Sequence, residues 1–158
     1  MAKSNDKDGI RAIATNRRAR HEYELLDRFE AGLVLTGTEI KSVRNHSVSL
    51  QQAFVQARGS ELWLVQMNIA EYKHGNRENH EPMRARKLLL KRKEIAKIVR
   101  MLTEKGLTAV PTRLYMKDGW AKVEIALARG KRQYDKRQDL ARRDSERRIE
   151  RALTEKYR

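Results

Sequence analysis

Residues 112–127 alternate apolar and polar side chains around one Asp118-Gly119 pair. Leu114 and Met116 precede the pair, and Ala121, Val123, Ile125 and Leu127 follow it, set against Lys122 and Glu124. A period of two places every second side chain on one face of a strand, a pattern that no helix can use. Asp-Gly supplies the positive φ angles of a type I′ turn, so this stretch predicts a β-hairpin. Pro111 suits the beginning or the edge of its first strand. The same period recurs upstream. Tyr23 and Leu25 alternate with charges in a run that continues through Phe29 to Leu33 and Leu35. In 61–69, Trp63, Val65, Met67 and Ile69 share one face and Leu62 and Leu64 the other.

Two stretches break this pattern. Ile95, Ile98, Val99 and Leu102 fall at i, i+3, i+4 and i+7, which predicts a helix over 91–105 with Gly106 as its stop. A shorter helix is expected at about 47–53, capped by Ser47 or Ser49. Residues 72–83 have no period and read as an exposed loop. The last thirty residues, 129–158, carry twelve basic and six acidic side chains and only seven of the hydrophobic set. Burial there cannot offset roughly 1–2 kcal/mol of backbone entropy per residue, so this tail is expected to be disordered when alone. Ile149, Ala152, Leu153 and Tyr157 nevertheless lie close to one helical face, which predicts a helix that forms against a partner. A chain of 158 residues suits one domain and a tail. Several short strands with a helix or two then predict a mainly β fold, a small closed barrel. The expected division is a flexible basic N-terminus at 1–19, a barrel at 20–128 and the tail at 129–158.

Lys and Arg number 36 against 21 Asp and Glu, a formal net charge of +15. An excess of that size points to a polyanion, nucleic acid first and an anionic membrane surface second. With no cysteine, disulfides, Cys-ligated zinc and thiol chemistry are excluded. The N-terminus has no apolar h-region and the longest purely apolar run is Leu88-Leu89-Leu90, so a cytoplasmic chain with no membrane span is expected. Catalytic signals are thin. None of His21, His46, His74 and His80 forms an H-E-x-x-H pair, and only His74 and His80, near Glu78 and Glu81, suggest even a weak ion site. Gly130-Lys131 resembles the end of a phosphate-binding loop, but position 125 is Ile where the earlier glycine belongs. No catalytic residue, metal or cofactor is therefore expected.

The basic clusters carry more. Asn16-Arg17-Arg18-Ala19-Arg20-His21-Glu22-Tyr23, expected to open the first strand, sets guanidiniums beside an imidazole and a phenol. Guanidinium forks hold phosphates bidentately, and rings and guanidinium planes stack on unpaired bases. Arg84-Ala85-Arg86-Lys87 forms a second cluster leading into the cation-rich 91–105 segment, and the tail forms a third. A solvated face with lysine stems lying on apolar surface would account for any one of them. Three clusters, interleaved rings and +15 together favour nucleic-acid binding.

These residues also resemble a known family. Residues 16–23, Phe29-Glu30-Ala31-Gly32-Leu33, Gly37-Thr38-Glu39-Ile40-Lys41-Ser42-Val43-Arg44, Arg84-Ala85-Arg86-Lys87-Leu88-Leu89-Leu90, Trp120-Ala121-Lys122-Val123 and Gly130-Lys131-Arg132-Gln133-Tyr134-Asp135-Lys136-Arg137 are similar, in order, to the SsrA-binding proteins (small protein B). The resemblance implies an oligonucleotide-binding-type closed β-barrel with two to three peripheral helices. It implies that this barrel binds the tRNA-like part of tmRNA, the RNA that rescues stalled ribosomes by trans-translation. It places Asn16, Arg17, Arg18, Arg20, His21, Tyr23, Glu30, Arg86, Lys87, Leu89 and Gly130 on the RNA face. The tail residues Lys131, Arg132, Tyr134, Asp135, Lys136 and Arg137 would then enter the decoding centre and mRNA channel of the ribosome, with elongation factor Tu met through the tmRNA complex. Tyr134 stands where the family often has His. Glu30 is the odd member of the face, expected to accept base or 2′-hydroxyl donors or to hold an arginine of the first cluster. Two other classes remain. One is a generic RNA-binding barrel such as a ribosome assembly factor. The other, a peripheral membrane protein, is disfavoured by a tail without Trp, Phe or Met.

Overall fold

In the computed structural model, which describes residues 9–130 and 133–156, nine strands and four helices are present. They run in the order β1 (Ile10–Thr15), α1 (Arg17–Glu22), β2 (Tyr23–Leu33), α2 (Gly37–Arg44), β3 (Val48–Ser49), β4 (Phe54–Arg58), β5 (Glu61–Val65), β6 (Asn68–Ile69), β7 (Arg86–Leu89), α3 (Arg92–Glu104), β8 (Thr108–Lys117), β9 (Trp120–Gly130) and α4 (Gln133–Lys156). Seven strands form one antiparallel sheet in the order β1-β8-β9-β2-β7-β5-β4, and β3 pairs with β6.

The expected hairpin is its centre. Asp118 (φ 50°) and Gly119 (φ 83°) make the turn, and the ladder runs from Lys117–Trp120 back to Thr108–Ala128. Pro111 lies inside β8 rather than at its start, where the register shifts between Pro111 and Arg113 and the missing N–H is tolerated. The alternation buries Leu114, Met116, Val123, Ile125 and Leu127 in one core with Ala31, Leu33, Leu62, Leu64 and Leu88. The helix expected at 91–105 forms as α3, buries Ile98 and packs Ile95, Val99 and Leu102 on this core, with Gly106 at φ 62° beyond its end.

Several expectations are corrected. Residues 17–22 are helix α1 before β2, not strand, because the Asn16 side chain caps it by accepting from the Ala19 N–H at 3.2 Å. The sheet already includes β1, whose Ile13 is core, so the body starts near residue 10 rather than 20, and it continues through Gly130. The 61–69 stretch divides where Gln66 takes φ 63°, and Leu62 and Leu64, not Trp63, face the core. The helix expected at 47–53 is absent; a turn joins β3 to β4, and the helix lies upstream as α2. There Thr36 and Glu39 form a capping box: the Thr36 N–H donates to Glu39 Oε1 at 2.9 Å and the Glu39 N–H to Thr36 Oγ1 at 3.4 Å. The 72–83 loop is anchored, since His80 is buried, donating from Nε2 to the Ile69 carbonyl at 2.8 Å while Thr38 Oγ1 donates to Nδ1 at 2.9 Å.

Closure of the barrel is likewise not completed by hydrogen bonds. The ladder ends at β1 and β4, although β4 comes close to β8, so the sheet is curled and open. In the tail, residues 133–156 form α4, and every described side chain from 143 to 154 is exposed.

Candidate nucleic-acid interface

Residues directly opposite in an antiparallel ladder share a face, so the registers define the outer surface of the sheet. On β2, Tyr23, Arg28, Glu30 and Gly32 oppose Gly130, Ala126, Glu124 and Lys122 of β9; Glu124 and Lys122 in turn oppose Arg113 and Tyr115 of β8. Gly32 also opposes Leu89, and Lys87, two residues earlier on β7, opposes Trp63 of β5. Tyr23, Glu30, Lys87, Leu89 and Gly130 thus lie on one continuous face. Leu89 is 52% exposed there. Gly32 has a packing role, since a Cβ at that position would come within 3.3 Å of Leu89 Cβ.

The strand period that turns Lys87 and Leu89 outward turns Arg86 inward, beside Leu64. Arg86 is 0% exposed. Its guanidinium donates to Glu39 Oε2, to the Met67 carbonyl at 2.6 Å and to the Pro82 carbonyl at 3.0 Å. Arg84 donates to Glu39 Oε1, so one buried carboxylate holds two arginines, the start of α2 and the 67–86 segment together. Burial pushes the Glu39 carboxyl up, but the bonds from Arg84, the Thr36 N–H and Arg86 outweigh it and hold the group below its ordinary value. Arg86 is therefore corrected from an RNA contact to a core residue. Asn16 is corrected in the same way: it is buried, and its amide donates to the Leu50 carbonyl at 3.2 Å and the Pro111 carbonyl at 2.8 Å.

Glu30 does not hold an arginine of the first cluster. It accepts from the Tyr115 hydroxyl and from Lys117 Nζ at 3.3 Å. The Tyr115 bond lowers its pKa most, against partial desolvation, and Lys117 and Lys122 add to the lowering. Burial, reinforced by Glu30, pushes the Tyr115 phenol well up. Beside this pair, Arg28 (3.0 Å) and Arg113 (2.5 Å) converge on Glu124. Lys87 pairs with Glu61 at 2.9 Å, and Arg58 lies 5.4 Å from the Trp63 ring centroid. The Arg28–Glu124–Arg113 group and the Trp63–Arg58 contact are not legible in the sequence, which has no cross-strand register to bring these residues together.

At the other end of β2, α1 displays Arg17, Arg18, Arg20 and His21, all exposed. Arg18 pairs with Glu22 at 2.9 Å, whereas Arg17 and Arg20 hold no ion pair among the described residues. The Tyr23–Gly130 pair sets this cluster beside the point where the chain leaves the sheet for α4. About seven residues, roughly 23 Å of strand, separate Tyr23 from Glu30. Lys131 and Arg132 lie outside the described residues. Tyr134, Asp135, Lys136 and Arg137 fall within the first turns of α4, where only the backbone is described. Among the described residues no group of three or more His, Cys, Asp or Glu could hold a metal ion, and no helix is long and apolar enough to cross a membrane.

The fold and this face define a small mainly β protein with peripheral helices, a mixed basic and aromatic sheet surface and a basic helical tail. The family model described as SmpB protein matches residues 13–155, and the chain belongs to that family. Among curated relatives, the SsrA-binding protein of Salinispora tropica is 56% identical over 144 residues, covering 91% of each chain. That of Thermobifida fusca is 54% identical over 156 residues, covering 97% of this chain and 98% of the relative. A solved structure described as "tmRNA-SmpB: a journey to the center of the bacterial ribosome" is 41% identical with a TM-score of 0.66, covering 80% of this chain and 93% of that one.

Proposed function

We propose that this chain binds the tRNA-like part of tmRNA and promotes its entry into stalled ribosomes for trans-translation, without making or breaking a bond itself. The observation that carries this reading is the Tyr23–Gly130 ladder pair, which roots the basic tail beside the exposed guanidiniums of α1. One RNA held on α1 and the outer sheet face would leave α4 free to reach a second partner. Family membership and relatives named SsrA-binding protein support tmRNA as the first partner. The likeness to a solved tmRNA-SmpB structure concerned with the bacterial ribosome supports the ribosome as the second.

On this reading the curled sheet is an oligonucleotide-binding-type barrel, and contact is made through phosphates and RNA shape rather than sequence. Arg17, Arg18, Arg20, His21, Tyr23, Glu30, Lys87, Leu89 and Gly130 are its RNA face. The tail, with Lys131, Arg132, Tyr134, Asp135, Lys136 and Arg137, engages the decoding centre and mRNA channel in the cytoplasm, and α4 is held there by ribosomal RNA. Elongation factor Tu is met through the tmRNA complex. Sequencing the RNA that co-purifies with tagged chain tests the reading: tmRNA should be enriched far above its cellular share. Recovery of ribosomal RNA or precursor rRNA without tmRNA would favour an assembly factor.

A further inference from the structure

Trp120 is 73% exposed, the most exposed large hydrophobic side chain among the described residues. A single exposed apolar side chain needs no explanation in general. This one is placed by an unusually well-braced element. Its ladder partner is Lys117, directly across the Asp118-Gly119 turn. The Asp118 N–H donates to the Gly9 carbonyl at 3.1 Å, tying the turn to the start of β1. Gly9, at φ 67°, fits so closely that a Cβ there would stand 2.3 Å from Asp118 Oδ1. On its other side the β2–β9 ladder ends at Gly32–Lys122, so no strand of the sheet pairs with Trp120 on that side.

The register also sets what surrounds the ring. Trp120 shares the outer face with Lys122, two residues along β9, and with Lys117 and Tyr115 of β8. Lysine is depleted from the cores of protein–protein interfaces, which argues against a protein partner. A flat, accessible ring on a face that also carries Lys122 and Lys117, the latter with its ammonium on Glu30, has the composition of a base-stacking platform, in which the π face holds a base and a cation holds its phosphate.

We propose that Trp120 is a base-stacking residue: an unpaired nucleobase of the bound RNA lies on its indole, with the flanking phosphate near Lys122. This rests on the RNA-binding reading above and adds a residue to its face. The test compares wild type, W120F and W120A for affinity to the transcribed tRNA-like domain of tmRNA and to a perfect RNA duplex of equal length. W120A should bind the tRNA-like domain about tenfold or more weakly, and W120F should recover most of that loss because a ring remains. On the duplex, which offers no unpaired base, all three should bind alike. The salt slope on the tRNA-like domain should be the same for all three, since no phosphate contact is removed. Equal affinity of W120A and wild type for the tRNA-like domain would overturn the stacking role, as would a W120F as weak as W120A. A wild type that binds the domain no tighter than the duplex would instead overturn the tmRNA reading.

Discussion

In β7 the side chains of Arg86 and Leu88 face the core while those of Lys87 and Leu89 face outward, so two neighbouring cations do different work. Arg86→Ala would leave the Glu39 carboxylate short of a partner and two carbonyls without a donor in the interior. Breaking a buried pair from one side costs about 3–5 kcal/mol. Thermal denaturation should therefore show a fall in Tm on the order of 10 °C. Lys87→Ala should leave Tm within about 2 °C, because its pair with Glu61 is exposed, and should weaken RNA binding instead. Glu39 adds a pH dependence. Its folded pKa lies below the ordinary value of 4.5, so its contribution is fully present above that value and is lost as pH falls through the folded pKa. Urea denaturation between pH 6 and 3 should show stability declining below about pH 4.5. Glu39→Gln should be less stable at neutral pH and show a shallower acid decline. Equal acid limbs would assign the decline to other carboxylates such as Glu30 and Glu124, whose pKa values are also lowered.

At the scale of elements, legibility followed how local the deciding interaction was. The Asp118-Gly119 hairpin and α3 are set by side-chain period and turn chemistry, and both were readable. The capping box is equally local, Thr36 followed three residues later by Glu39, but it stands directly after the alternating run that ends at Leu35, and α2 has no strong apolar period to announce it. The inward turn of Arg86 was implicit in Arg86-Lys87-Leu88-Leu89 once that stretch is a strand, because adjacent residues cannot share a face. The helical start of α1 was hidden, since Asn16 caps it from a position tied to Leu50 and Pro111, far away in sequence. The candidate face itself was only partly legible. Its basic clusters are readable from composition and Glu30, Leu89 and Gly130 from resemblance alone, whereas the convergence of Arg28 and Arg113 on Glu124 is a product of cross-strand register. The hairpin gives a direct check of turn strain. Gly119 sits at φ 83°, where a Cβ costs about 1–2 kcal/mol, so Gly119→Ala should lower the urea midpoint without changing the m-value.

Over the whole molecule, charge and chain order divide the work. A net charge of +15 makes binding to RNA a counterion-release process. With about six phosphates neutralised, affinity should fall on the order of 10³-fold between 50 and 200 mM salt, as measured by filter binding or fluorescence anisotropy. A flat salt dependence would remove the electrostatic basis of the interface. The sheet closes its last pair at Tyr23–Gly130, and the described tail side chains from 143 to 154 are all exposed, Ile149 at 60% and Leu153 at 51%. The body should therefore fold without the tail, and an isolated helix of this kind is marginal in water unless a partner covers its apolar stripe.

If one end of this chain holds tmRNA while the other acts on the ribosome, a chain ending at Gly130 separates the two activities. In a reconstituted reaction with stalled ribosomes, tmRNA affinity and peptide tagging are measured on the same preparation. tmRNA affinity should stay within a few-fold of the full chain while tagging falls to background. Normal tagging by the truncated chain would contradict this division of work.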